Sequence, residues 1–389
     1  MNLHISGLLT IAAVALAGVL SSTESLAQNA YITNEGSNTV SVIDTRTDEV
    51  TADIPVVPVG LHTHGVAAAP DGGKVYVTDG DPTPGGIVSV IDPETKKLLT
   101  TVAVGAQPKG LAVTPDGGRV YVANTSADTI SVIATRTNSV ITTIQVGFYP
   151  NGVAVSPDGG RVYVTNAGSN SVAVISTVTN KVIDTVAVQG LPSFLAVTPD
   201  GDRVYVGNAN SNTVSVIATP SDTVIATIPV GSTDPFAGGS YPAGVAVSPD
   251  GGKVYVANSY LANSVSVIDT NTNTVSATIP VGNGPEGLAV TADGKKIYVA
   301  NVWDNSVSVI NAATNTVVKT IPVGVNPVAF GIFIQRPLGF AGKPGKANCY
   351  GQSVLALTSQ YHGINAAAAA LGYSSAKALQ NTILAFCEA

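Results

Sequence analysis

The stretch LHTHG places two of the chain's four histidines, His62 and His64, one residue apart. On an extended backbone a His-x-His pair directs both imidazoles to one side, and Asp79 and Asp81 follow on the next loop. Two imidazoles with one or two carboxylates suit Zn²⁺ or another divalent transition metal with an open position for water. Such a metal would serve a lactonase-like hydrolase or a lyase through bound water or Lewis-acid polarisation. The plainer reading is turn decoration: His-x-His alone is a weak motif, and no third histidine lies nearby. Other chemistries lack their residues. No G-x-S-x-G elbow, C-x-x-C-H haem signature, P-loop or dinucleotide fingerprint occurs. No catalytic residue is assigned, and no cofactor is expected beyond that candidate metal.

The elements that would carry the pair repeat. YITN at Tyr31 recurs as YVTD at Tyr76, YVAN at Tyr121, YVTN at Tyr163, YVGN at Tyr205, and YVAN at Tyr255 and Tyr298. Seven copies of a unit of roughly 40 residues indicate a repeat architecture. Between Gly110 and Gly147 one unit resolves into four alternating segments separated by PDGG, a longer loop and an RTN turn. Four short antiparallel strands per unit are the signature of a propeller blade. The first repeat lacks its leading strand, and a matching one, PVAFGIFIQ, follows the last repeat at 327–335. The two ends would then share one blade, which removes free sheet edges and closes the ring. The expected fold is all-β, a seven-bladed β-propeller with N- and C-terminal strand closure and a small α-helical appendix.

These motifs resemble the YVTN-repeat β-propeller family, of an exported bacterial type related to WD40-like repeats, over about 310 residues. The resemblance implies an exported propeller. Its relatives include surface antigens, a single-stranded-DNA binder and, more distantly, subunits of amine dehydrogenases. As a guide to function it is weak, because propellers host unrelated activities.

Residues needed in every blade read as structural. Asp71, Asp116, Asp158, Asp200 and Asp250 recur at one turn, and Asn34, Asn124, Asn166, Asn208, Asn258 and Asn301 at one strand end. Function is sought where blades differ. The two-to-three loops and the connections between blades share one face and vary, whereas the PDG and RTN turns share the other and scarcely do. Aligned connections place His64, Lys109, Asn151, Ser193, Ala243 and Glu286 at one position beside the channel. Around them stand Tyr149, Asp234, Phe236, Tyr241, Trp303 and Asp304. Aromatic and unlike polar groups at a channel mouth suit a small-molecule site.

The apolar run Ile5–Leu20, followed by Ser25 and Ala27, reads as a secretory signal covering residues 1–27. The mature protein is expected in the periplasm or medium, as a monomer and not integral to a membrane. The propeller is assigned to 28–336, a Gly/Pro/Lys linker to 337–348 and a helical tail to 349–389, stapled by one disulfide between Cys349 and Cys387. Net charge is −7 without a basic cluster, which disfavours nucleic acid, single-stranded DNA included. The leading expectation is a module that binds a protein or small molecule through the irregular loop face.

Overall fold

The computed structural model describes residues 28–56, 62–80, 85–231 and 240–335, together with residue 380. Among the described residues, six sheets of four antiparallel strands and one of three make up the ring. The three-stranded sheet, Asn29–Asn34, Thr39–Asp44 and Glu49–Pro55, gains its fourth member from the far end of the sequence. Bridges join Ala30 to Ile334 and Asn34 to Pro327, and backbone hydrogen bonds run from Tyr31 N to Phe333 O and from Gln335 N to Asn29 O, both 2.9 Å. The seven-bladed ring with shared closure is therefore as expected. The signal segment, Cys349 and Cys387 lie outside the described residues. Among the described residues no helix is long and apolar enough to cross a membrane.

The second strand of each sheet is buried nearly from end to end because neighbouring blades cover both its faces. The seven repeat tyrosines are among the largest fully buried side chains. A ring that large needs a partner for its hydroxyl when buried. Tyr121 OH donates to Asn180 Oδ1 at 2.7 Å and Tyr205 OH to Asn273 Oδ1 at 2.9 Å; Tyr298 OH meets Asp48. Each partner is a left-handed turn residue of the next blade.

The residue that opens the same strand adds a cation. Lys74, Arg119, Arg161, Arg203, Lys253 and Lys296 each donate to a turn carbonyl one blade on, from 2.5 Å for Arg203 to 3.4 Å for Lys253. At the corresponding place in the first blade stands Asn29, so the seam between blades one and two lacks this latch.

The recurrent Asp and Asn residues are structural, as read from the sequence. Asp116 Oδ1 accepts from Thr114 Oγ1 and Gly118 N, tying its turn together. Asn34 Nδ2 donates to Thr39 and Ser41 across the next hairpin, a pattern repeated by Asn124 and Asn208.

Asp79 occupies this Asn position in the second blade. It is fully buried; its Oδ2 accepts from Ser89 Oγ at 2.7 Å and its Oδ1 has no partner. Burial pushes its pKa up to about 7 against the opposing Ser89 hydrogen bonds. The folded state therefore holds a proton that the unfolded chain releases near pH 4, and stability falls as pH rises from there through about 7. Asp79→Asn restores the amide donor. It is expected to raise stability by about 2–4 kcal/mol at pH 8 and to flatten the dependence between pH 4 and 7, checked by urea denaturation across that range.

Candidate functional site

The first strand of each blade descends from the loop face into the channel. The strands Thr63–Ala68, Pro108–Val113, Pro150–Val155, Pro192–Val197, Pro242–Val247 and Pro285–Val290 place His64, Lys109, Asn151, Ser193, Ala243 and Glu286 second in each. Val328 completes the ring from the closing segment.

One residue deeper, neighbouring backbones press together. A Cβ on Gly65 would come 2.3 Å from Lys109 O, on Gly110 2.2 Å from Asn151 O, and on Gly244 2.4 Å from Glu286 O. The fifth blade breaks this rule with Phe194. Its ring stacks on Phe330 of the first blade, centroids 3.9 Å apart and planes 6° from parallel, with Ala243 and Val328 packed alongside. Two blades separate this pair on the shorter way round, so the stack crosses the channel and floors the mouth. The same departure turns Ser193 away from the opening: its hydroxyl donates to Pro242 O at 2.6 Å and Gly207 O at 3.1 Å. It fills the place of Thr78 and Thr165, whose hydroxyls bridge adjacent inner strands elsewhere.

Above the floor the ionisable residues converge. Glu35 Oε1 lies 3.5 Å from His62 Nδ1 and 3.9 Å from His64 Nε2. His62 is exposed, whereas His64 is largely enclosed, and burial, then the charges of Lys109 and His62, lowers its pKa to about 4. Its imidazole is neutral at physiological pH. Burial also holds the Lys109 ammonium below the ordinary lysine value, opposed by the charges of Glu35 and Glu286. Glu286 is reachable only as part of the channel wall, and enclosure pushes its carboxyl up to about 7 although Ser259 Oγ donates to it at 3.1 Å. Burial and the Glu286 charge raise the Tyr241 pKa in turn.

Among the described residues the metal set read from the sequence is not brought together. Asp79 points into its own sheet toward Ser89, and Asp81 lies outside the described residues. Among the described residues no three His, Cys, Asp or Glu side chains form a metal-holding group. Among the described residues the carboxylate paired with both histidines is Glu35.

The rim is aromatic. Tyr149, Tyr260 and Trp303 are each more than half exposed and Tyr241 is 40% exposed; Tyr260 meets Trp303 edge to face at 6.2 Å. Asp304 is a positioning residue, accepting from Asn283 N at 2.7 Å and Asn283 Nδ2 at 2.8 Å. Asp234 and Phe236 lie outside the described residues.

Sequence reasoning missed Glu35, Ser259 and the phenylalanine pair. Glu35 and Ser259 each follow the strand-end Asn, a position that varies among blades without changing loop length. Phe194 was legible as the break in the P-x-G pattern.

Tyr149 and Tyr241 have φ of 53° and 39° just before a proline, where Gly284 serves in the seventh blade. A bulky residue in the left-handed region is strained by about 1–2 kcal/mol, but Gln107, Leu191 and Asn326 take the same conformation before their prolines, so it belongs to the repeat. Tyr149→Gly is expected to keep or raise stability, by up to about 1 kcal/mol, in thermal unfolding. A loss larger than that would give the ring a packing role.

Three family models match parts of the chain: the YNCE-like beta-propeller over residues 237–335, the Choice-of-anchor I domain over 20–129, and the Lactonase, 7-bladed beta-propeller over 141–225. None of the curated proteins matches at a significant level. Among solved structures, Kuenenia stuttgartiensis hydrazine synthase is similar at 24% identity and TM-score 0.64, over 76% of this chain and 99% of that one. A candidate 6-phosphogluconolactonase from Bacteroides fragilis is similar at 20% identity and TM-score 0.66, over 79% and 98%. A functionally unknown protein from Desulfotomaculum acetoxidans gives 17% and 0.63, over 78% and 99%. At these identities the likeness concerns the fold.

Proposed function

We propose that the chain is an exported binding module that takes its ligand on the loop face, at the floored mouth of the channel. One observation carries this reading. Unlike residues from separate blades, Glu35, His64, Lys109, Asn151 and Glu286, meet above a closed floor, while the opposite face repeats the same turns. A ring built for scaffolding alone has no need of enclosed, unmatched charges, which cost free energy to desolvate. The exposed aromatics supply the apolar contact that such a site combines with a few polar groups.

The chain's single tryptophan, Trp303, stands on this rim and reports binding without a label. Titration against a metabolite library is expected to give ligands that change its emission. Tyr149→Ala and Tyr260→Ala should each weaken binding by about tenfold or more, while Thr137→Ala on the opposite face leaves it unchanged. Binding indifferent to both rim variants would place the ligand elsewhere.

The lactonase match over residues 141–225 favours a second reading, hydrolysis of a sugar lactone. Glu286, with a pKa of about 7, is suited to general-base work near neutrality. It would take a proton from the water that adds to the lactone carbonyl and return it to the ring oxygen as that C–O bond breaks. Hydrolysis of δ-gluconolactone or 6-phosphogluconolactone above the buffer rate, lost in Glu286→Gln, is the expected result. A rate unchanged by that variant removes Glu286 from the role.

A further inference from the structure

We infer that the mouth recognises the end of a neutral, polyhydroxylated ligand, a saccharide, rather than an anion or a cation. This rests on the loop-face reading above and names the ligand class of that site. The reasoning begins with Lys109. Its ammonium lies within electrostatic reach of Glu35 and Glu286, yet among the described residues it forms no ion pair or hydrogen bond with either. Its three donors and the acceptors of Glu35 and Glu286 thus share one mouth without being spent on each other. Asn151 lines the same level, half-buried with its Oδ1 closed off from the opening, and neutral His64 adds a ring that both donates and accepts.

Charge selects among ligands. An anion drawn to Lys109 meets the carboxylate of Glu35 and, above neutrality, that of Glu286. A cation drawn to those carboxylates meets Lys109. A like charge in an enclosed site is costly, so each ion is opposed by part of the wall. A neutral ligand dense in hydroxyl groups meets no such conflict, because every hydroxyl both donates and accepts. It gives hydrogen bonds to Glu35 and Glu286 and receives them from Lys109, and those to charged partners are the stronger kind.

The rim and floor fit the same chemistry. Saccharide rings carry apolar C–H faces beside their hydroxyls, and the exposed faces of Tyr149, Tyr241, Tyr260 and Trp303 offer flat apolar surface at little conformational cost. The Phe194–Phe330 stack closes the channel one residue below Lys109, so a chain of sugars cannot thread through. Only a terminal residue enters.

The test is a titration of the full chain, read by Trp303 emission and by calorimetry, against an array of neutral oligosaccharides, with 6-phosphogluconate and spermidine as charged controls. At least one neutral oligosaccharide is expected to bind with little change between about 50 and 500 mM NaCl, since no net charge is screened. Lys109→Met is expected to weaken it by about tenfold or more, with the unfolding temperature recorded. Should Lys109→Met fail to fold, Glu286→Gln carries the comparison. Binding of a charged control, sensitive to salt and to Lys109→Met, with no neutral sugar bound, overturns the saccharide assignment and leaves the loop-face reading standing. Silence from the array, the controls and the metabolite library overturns both.

Discussion

At five of the seven inner strands, those with Gly65, Gly110, Gly152, Gly244 and Gly287, the backbone lies against the next with no side chain between them. Gly65, Gly110 and Gly244 allow this by leaving no Cβ to collide with a neighbour's carbonyl, and Thr78 and Thr165 bridge the same contacts with their hydroxyls. The position just above is thereby fixed in space whatever residue stands there. It tolerates His, Lys, Asn, Ala, Glu and Val because the backbone beneath it does not change. A rigid ring with freely chosen side chains at one level is what allows a repeat protein to hold an asymmetric site.

The fold was legible because the signals repeat. Four segments with period two, a PDG turn and a YVTN strand occur often enough that no single misjudged boundary matters, and the unpaired strand at 327–335 announces closure by itself. The mouth was only half legible. Lys109, Asn151 and Glu286 follow from aligning the connections, but Glu35 escaped notice because its loop has ordinary length. Asp79 misled for a related reason. Its acidic side chain beside a His-x-His pair resembles a ligand set, yet strand register commits it to the hairpin interior, where its blade's neighbours carry Asn. Sequence proximity does not say which way a side chain leaves a sheet; the pairing of Thr63 with Asp79 does.

Repeated and unrepeated positions carry different work. The tyrosines, the basic residues that open the second strands and the strand-end asparagines hold blades together. The left-handed backbone before Pro150 and Pro242 belongs to that framework too, since Gln107, Leu191 and Asn326 share it, but the aromatic side chains of Tyr149 and Tyr241 and the enclosed Glu286 do not repeat, and they carry a local cost in strain or desolvation. Those costs are tolerated because the surrounding ring fixes the geometry several times over.

Closure also sets the order in which the molecule can form. Tyr31 and Gln335 lie 304 residues apart and meet in one blade, so the first strand, paired with its hairpin neighbour on one side, has no partner on its other edge until the last has been made. A chain emerging from its amino terminus can stack its middle blades early, but the ring stays an open arc with two unsatisfied edges until the carboxy-terminal segment arrives. The slow, non-local pairing that such topology demands falls at the very end of folding. The seam between blades one and two, without the second-strand latch of the others, is held instead by Lys96 Nζ on Thr51 Oγ1 at 3.0 Å and by Val66 N on Phe330 O at 2.8 Å, and the second of these bonds forms only when the arc closes.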